Sequence, residues 1–81
     1  MLEKVEEISL LFDFYGELLT EKQKELLSLH NENDLSLAEI AAEKGVSRQA
    51  IHEQIKKAEK ALLSYEEKLG LVANWKKEHG I

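Results

Sequence analysis

The chain has no cysteine and no proline, and only four glycines among its 81 residues. Without cysteine there is no disulfide scaffold, no thiolate-bound zinc and no thiol catalysis. Without proline and with little glycine, tight turns are scarce and long helices are favoured. No run of about 18 apolar residues exists, so nothing reads as membrane-spanning. The opening MLEKVEEISLL is acidic and its apolar runs are broken, unlike a signal peptide. A cytoplasmic location is the resulting expectation. Charged residues are 33% and apolar residues 43%, a globular rather than a disordered balance. At this length the chain is one domain, and the limited burial of its surface leaves room for help from a second subunit.

The net charge of −5 disfavours nucleic acid, but the charge is unevenly spread. Residues 1–45 hold four lysines and eleven acids, and residues 46–81 hold seven basic residues and five acids. An anion-binding surface is therefore expected in the second half.

Apolar spacing predicts helices throughout. Val5, Ile8, Phe12, Tyr15 and Leu19 recur at three and four within residues 2–19, and Leu11, Phe14 and Leu18 form a neighbouring row. That arc exceeds the roughly 100° stripe of a one-sided helix. Thr20 and Gln23 form a capping box for a second helix over about 21–31, with Leu26, Leu27 and Leu29 inward. Ser36 and Glu39 form another, opening a short third helix with Leu37, Ile40 and Ala41 inside. Gly45 ends it and Ser47 caps a fourth. In that fourth helix Ile51, Ile55, Ala58, Leu62, Tyr65, Leu69 and Val72 keep a heptad seam. A helix that long outruns a compact three-helix unit, so its second half needs the first helix, a partner chain, or both. Leu71 to Trp75 suggests a short last helix before a polar end.

The stretch 36–55 has the pattern of a helix-turn-helix: small Ala41 at a close crossing, Gly45 for the turn, Val46 as an apolar plug, and Ile51 and Ile55 as anchors. An ordinary helical hairpin is the plain alternative. Arg48, Gln49, His52, Lys56, Lys57 and Lys60 are the candidate nucleic-acid contacts. Arg48 suits guanine or phosphate, Gln49 adenine, and the lysines phosphate. Glu53 and Glu59 dilute this patch, and the same residues also suit the solvated side of a helix. Leu11, Phe14, Leu18, Tyr65, Leu69 and Val72 are the candidate homodimer surface. No metal or cofactor is expected, because His30, His52 and His79 lack ligand spacing and no glycine-rich phosphate loop exists. No carboxylate pair stands out for acid–base catalysis, so the chain reads as a non-enzyme. Lys76 and Lys77 beside Trp75 read first as a partly packed terminus, and second as a contact with a membrane surface or nucleic acid.

Leu11-Phe-Asp-Phe-Tyr15, Leu19-Thr-Glu-Lys-Gln23, Ser36-Leu-Ala-Glu-Ile40-Ala41, Val46-Ser-Arg-Gln-Ala50 and Tyr65-Glu-Glu-Lys-Leu69 together resemble the YlxM family. The resemblance covers about residues 5–72. It implies an all-α fold, with one helical domain over 1–81, a helix-turn-helix within 36–55 similar to the promoter −35-reading region of sigma factors, and a long C-terminal helix. It also implies an accessory or regulatory role in the signal recognition particle pathway, because the family's gene commonly neighbours that of the particle's GTPase. The partners implied are that GTPase, its RNA, or DNA. A DNA-binding transcriptional regulator is the alternative. Family members are usually longer, with more helix at the C-terminus.

Overall fold

Side chains at Thr20, Ser36 and Ser47 cap helix starts and mark where three of the helices begin. The computed structural model describes residues 4–80, with side chains from residue 6. Leu2 and Glu3, the inward position expected for the Val5 side chain, and Ile81 lie outside the described residues. Among the described residues five α-helices follow one another: α1 (Lys4–Tyr15), α2 (Glu21–Leu27), α3 (Leu37–Lys44), α4 (Arg48–Leu69) and α5 (Leu71–Glu78). No strand occurs among them.

The first helix ends at Tyr15 rather than at Leu19 as its apolar spacing suggests. From Gly16 to Leu18 the chain tightens into a 3-10 turn, closed by Leu19 N–H donating to Gly16 O at 3.1 Å. The tightening lets both Tyr15 and Leu19 reach the core, where they are buried with Ile8 and Leu11. Both expected capping boxes form. Thr20 Oγ1 accepts from Gln23 N–H at 3.2 Å, and Gln23 Oε1 accepts from Thr20 N–H at 3.1 Å. Ser36 Oγ accepts from Glu39 N–H at 3.1 Å, and Glu39 Oε1 accepts from Ser36 N–H at 3.0 Å. The hydrogen bond from the Ser36 backbone N–H, and then the Ser36 side chain, hold the Glu39 carboxyl below its usual range.

The second helix does not run evenly to residue 31. After Leu27 it widens into one π-helical stretch, Ser28–Glu32. Asn33 N–H donates to Ser28 O at 3.0 Å, and Leu35 N–H donates to Leu29 O at 3.0 Å. Asp34 turns the chain at φ 57°. That left-handed conformation is one aspartate tolerates better than most residues.

The core joins α1, α2 and α3 to the inner face of α4. Tyr15, Leu26, Leu27, Ile40, Ala41, Ile51, Ile55, Ala58 and Leu62 are its centre. Helix α4 has 22 residues. A helix of that size is about 33 Å long. The molecule is correspondingly elongated, with extents of 43 × 21 × 16 Å. The first half of α4 packs on α2 and α3, as the seam predicts. Its second half is covered within the chain, by α1 and by α5 folding back. Gly70, at φ 64°, makes that reversal.

Candidate nucleic-acid interface

Two turns of backbone decide how α4 is presented. Gly45 adopts φ 70°, ψ 32° after α3, and Val46 N–H then donates to Ala41 O at 3.1 Å. This is the six-to-one closure of a Schellman end. Ser47 follows at once and caps α4, its Oγ accepting from Ala50 N–H at 3.0 Å. An α3–turn–α4 unit thus forms, with Gly45 at the turn and Ser47 as the cap, but one part of the expected pattern differs. Val46 is 46% exposed and does not plug the core. The left-handed turn leaves it on the rim of a cavity beside Lys44 and Ile51, while Ile40, Ala41 and Ile51 close the interior.

Burial of Ile51, Ile55 and Ala58 fixes the rotation of α4. With about 100° per residue, Gln49, Lys56 and Lys60 then fall opposite the core. His52 turns to one flank and Lys57 to the other. Arg48, Gln49, His52, Lys56, Lys57 and Lys60 are all exposed. Gln49 Nε2 donates to Glu53 Oε1 at 3.2 Å. Arg48, Lys56, Lys57 and Lys60 form no ion pair among the described residues, in contrast to Lys24 and Lys44. Lys24 lies 3.3 Å from Glu17 and 3.5 Å from Glu21, and Lys44 is paired with Glu25.

His52 and Lys56 border a groove of about 290 Å³ with His30, Asn31, Leu37 and Glu59. His30 Nδ1 pairs with Leu35 O at 2.9 Å, while His79 stacks on Trp75 at 4.7 Å. The three histidines do not converge. Among the described residues no group of three His, Cys, Asp or Glu is placed to hold a metal ion, and no helix is long and apolar enough to cross a membrane. Trp75 is half-buried and packs edge-on to Phe14 at 6.2 Å, so the terminal segment is docked as far as Trp75, while Lys77 and Glu78 are exposed.

The expected dimer surface is partly consumed by the fold. Leu11, at 2% exposure, and Val72, at 3%, belong to the core and are unavailable to a partner. Leu11 lies on the side of α1 that faces the core, and the turn at Gly70 swings Val72 inward on α5. Phe14 is covered in part by Trp75. Tyr65 is half-buried, its hydroxyl donating to Leu18 O at 3.2 Å. Leu18 and Leu69 remain open, each at 52%.

An α3–turn–α4 unit with a rotationally fixed, exposed second helix defines the class: an all-α helix-turn-helix protein. Comparison with known proteins narrows this. The UPF0122 family, YlxM / p13 like, matches residues 2–81, and the chain belongs to it. UPF0122 protein STH1464 of Symbiobacterium thermophilum is 57% identical over 72 residues, covering 89% of this chain and 67% of that protein. UPF0122 protein BH2485 of Halalkalibacterium halodurans is 51% identical over 81 residues, covering all of this chain and 74% of the relative. UPF0122 protein lin1916 of Listeria innocua is 53% identical over 75 residues, covering 93% and 68%.

Proposed function

We propose that this chain is a non-enzymatic accessory protein that binds nucleic acid through the outward face of α4. The observation that carries the reading is the set of four exposed cations of α4, with Lys56 and Lys60 on that face, Lys57 on its flank and Arg48 in the first turn, all without carboxylate partners among the described residues. Exposed ion pairs add little stability, so leaving these cations unpaired costs the fold little, and phosphate contacts require them free. Gln49 and His52 stand among them as groups able to touch base edges. The family resemblance supplies the setting, the signal recognition particle pathway, with its GTPase or RNA as partner. A DNA-binding regulator uses the same face and is the second reading, favoured by the fit of a helix-turn-helix to the major groove.

The test is a titration of wild-type chain and of the Arg48→Ala, Gln49→Ala, Lys56→Ala triple variant against labelled duplex DNA and the particle's RNA, beside a pull-down with the particle's GTPase. Weaker binding by a folded triple variant supports the face. Retention of the GTPase favours the accessory role, and a preference for one duplex sequence favours the regulator. Absence of any nucleic-acid binding at low salt removes the reading.

We propose in addition that two copies associate through Leu18 and Leu69, which flank Tyr65. Two-fold pairing is the commonest arrangement of soluble oligomers, and such a pairing would cover both leucines.

A further inference from the structure

Two shallow cavities, of about 180 Å³ and about 310 Å³, lie side by side between α2 and α4. Both are lined by Lys22, Leu26 and Gln54, so together they make one elongated groove. Buried Leu26 and Ile51 form its floor. Three lysines stand along it: Lys22, Lys44 and Lys57. The carboxylate that lines it, Glu25, is paired with Lys44. Lys22 and Lys57 form no ion pair among the described residues. Gln54 Oε1 has no hydrogen-bond partner there, so its carbonyl is not committed elsewhere in the fold.

The opposite flank of α4 is different. The groove there carries one lysine, Lys56, and one acid, Glu59. The cationic excess beside α4 therefore lies on the α2 side. Nothing in the local sequence announces this, because Lys22 sits in the acidic half of the chain and only folding brings it to Lys57.

We propose that the α2–α4 groove is the track for the phosphodiester backbone of a nucleic acid bound on α4, with Lys22 and Lys57 as its phosphate contacts. The inference rests on the nucleic-acid reading above and adds where a strand runs and a cation outside the helix-turn-helix. An elongated, shallow groove suits a chain of regularly spaced charges better than a compact ligand. Ammonium groups neutralise phosphates without demanding one orientation, so this side positions the strand while the outward face of α4 meets the bases. Lys44 is a reserve cation, restrained by Glu25.

The test uses the full chain with a fluorescein-labelled, mixed-sequence DNA duplex and, separately, an RNA hairpin of similar charge. Affinity is measured by anisotropy between about 50 and 200 mM salt. Replacing both Lys22 and Lys57 by alanine lowers the slope of log affinity against log salt by about 0.9 for each duplex phosphate that is no longer neutralised. Glu25→Gln releases Lys44 and raises affinity at low salt by about two- to fivefold, a gain that a purely structural role for Glu25 does not give. Lys68→Ala, outside the groove, leaves the slope unchanged. Circular dichroism verifies that each variant is folded. A slope change in either arm that exceeds the change in Lys57→Ala alone supports the groove, and the arm that changes names the strand. An unchanged slope in the double variant, where Arg48→Ala and Lys56→Ala do lower it, overturns the groove and leaves the α4 reading standing. No binding of either probe by wild-type chain at low salt overturns both.

Discussion

Tyr15 and Glu66, 51 positions apart in sequence, meet through a hydrogen bond in which the phenol donates to the carboxylate Oε1 at 2.5 Å. The same pair starts α5. Tyr15 Oη accepts from Leu71 N–H at 3.0 Å, Glu66 Oε1 from Val72 N–H at 3.0 Å, and Glu66 Oε2 from Ala73 N–H at 3.0 Å. Helix α5 has Gly70 before it and no capping side chain of its own. Its first three N–H groups are satisfied by residues of α1 and α4 instead, which ties three helices at one point. A carboxylate suits that place, since a helix N-terminus carries partial positive charge.

This junction makes stability depend on pH. Burial pushes the Glu66 carboxyl up, but the hydrogen bonds from Tyr15, Val72 and Ala73 and the charge of Lys76 outweigh it and hold the group below the usual carboxylate range. A carboxylate with a lowered folded pKa adds stability above its unfolded pKa, and that stability is lost as pH falls through the folded value. Burial, and then the hydrogen bond to Glu66, raise the Tyr15 phenol. Its contribution is present below the ordinary tyrosine pKa and is lost as pH rises through the raised one. Glu66→Gln is expected to flatten the acid limb of a melting-temperature profile. Tyr15→Phe is expected to cost about 1.5–3 kcal/mol, as for hydrogen bonds to charged groups, and to flatten the alkaline limb. A wild-type profile that is level from acid to neutral pH contradicts this account.

At Gly45 the strain is in the backbone alone. A Cβ there meets nothing within 4 Å, yet φ is +70°. Gly45→Ala is expected to destabilise by about 1–2 kcal/mol, and Gly45→Val by more because of its branched Cβ, with Gly45→Asn the mildest. Urea unfolding ranks the three. Equal stability of Gly45→Val and wild type would mean that the turn is placed wrongly.

Loss of the α3 cap has a smaller effect. Ser36→Ala is expected to cost about 0.5–2 kcal/mol. It should leave nucleic-acid contacts in place, because Ser36 caps the helix ahead of the turn and not α4. A change in binding larger than the change in stability would place Ser36 at the interface instead.

Pairing of two copies is checked by light scattering. A wild-type mass near twice the 9.3 kDa of the chain, returning to one chain in Leu18→Glu, Leu69→Glu, supports the Leu18–Leu69 surface. Leu11→Glu serves as the contrast. Leu11 is only 2% exposed. A charge buried there is expected to unfold the chain rather than split a dimer. A wild-type monomer at high concentration rules the pairing out.

The sequence by itself determined the helices and most of their ends. Capping boxes at Thr20 and Ser36, the turn at Gly45 and the cap at Ser47 act over three or four residues, so their geometry is written locally. The seam of Ile51, Ile55, Ala58 and Leu62 set the rotation of α4 and hence which candidate contacts face outward. The sequence could not determine what covers the rest of that seam. Periodicity shows that a face is apolar but not what lies against it, and here α1 and α5 of the same chain take Leu11 and Val72 into the core. Val46 follows the same logic, since whether an apolar residue after a turn is buried depends on where the next helix leads. The widening at Ser28–Glu32 and the Tyr15–Glu66 junction also belong to the tertiary structure alone. So does the meeting of Lys22 with Lys57, since each depends on groups brought together by packing across α2 and α4, and charge order along the chain carries no record of that distance.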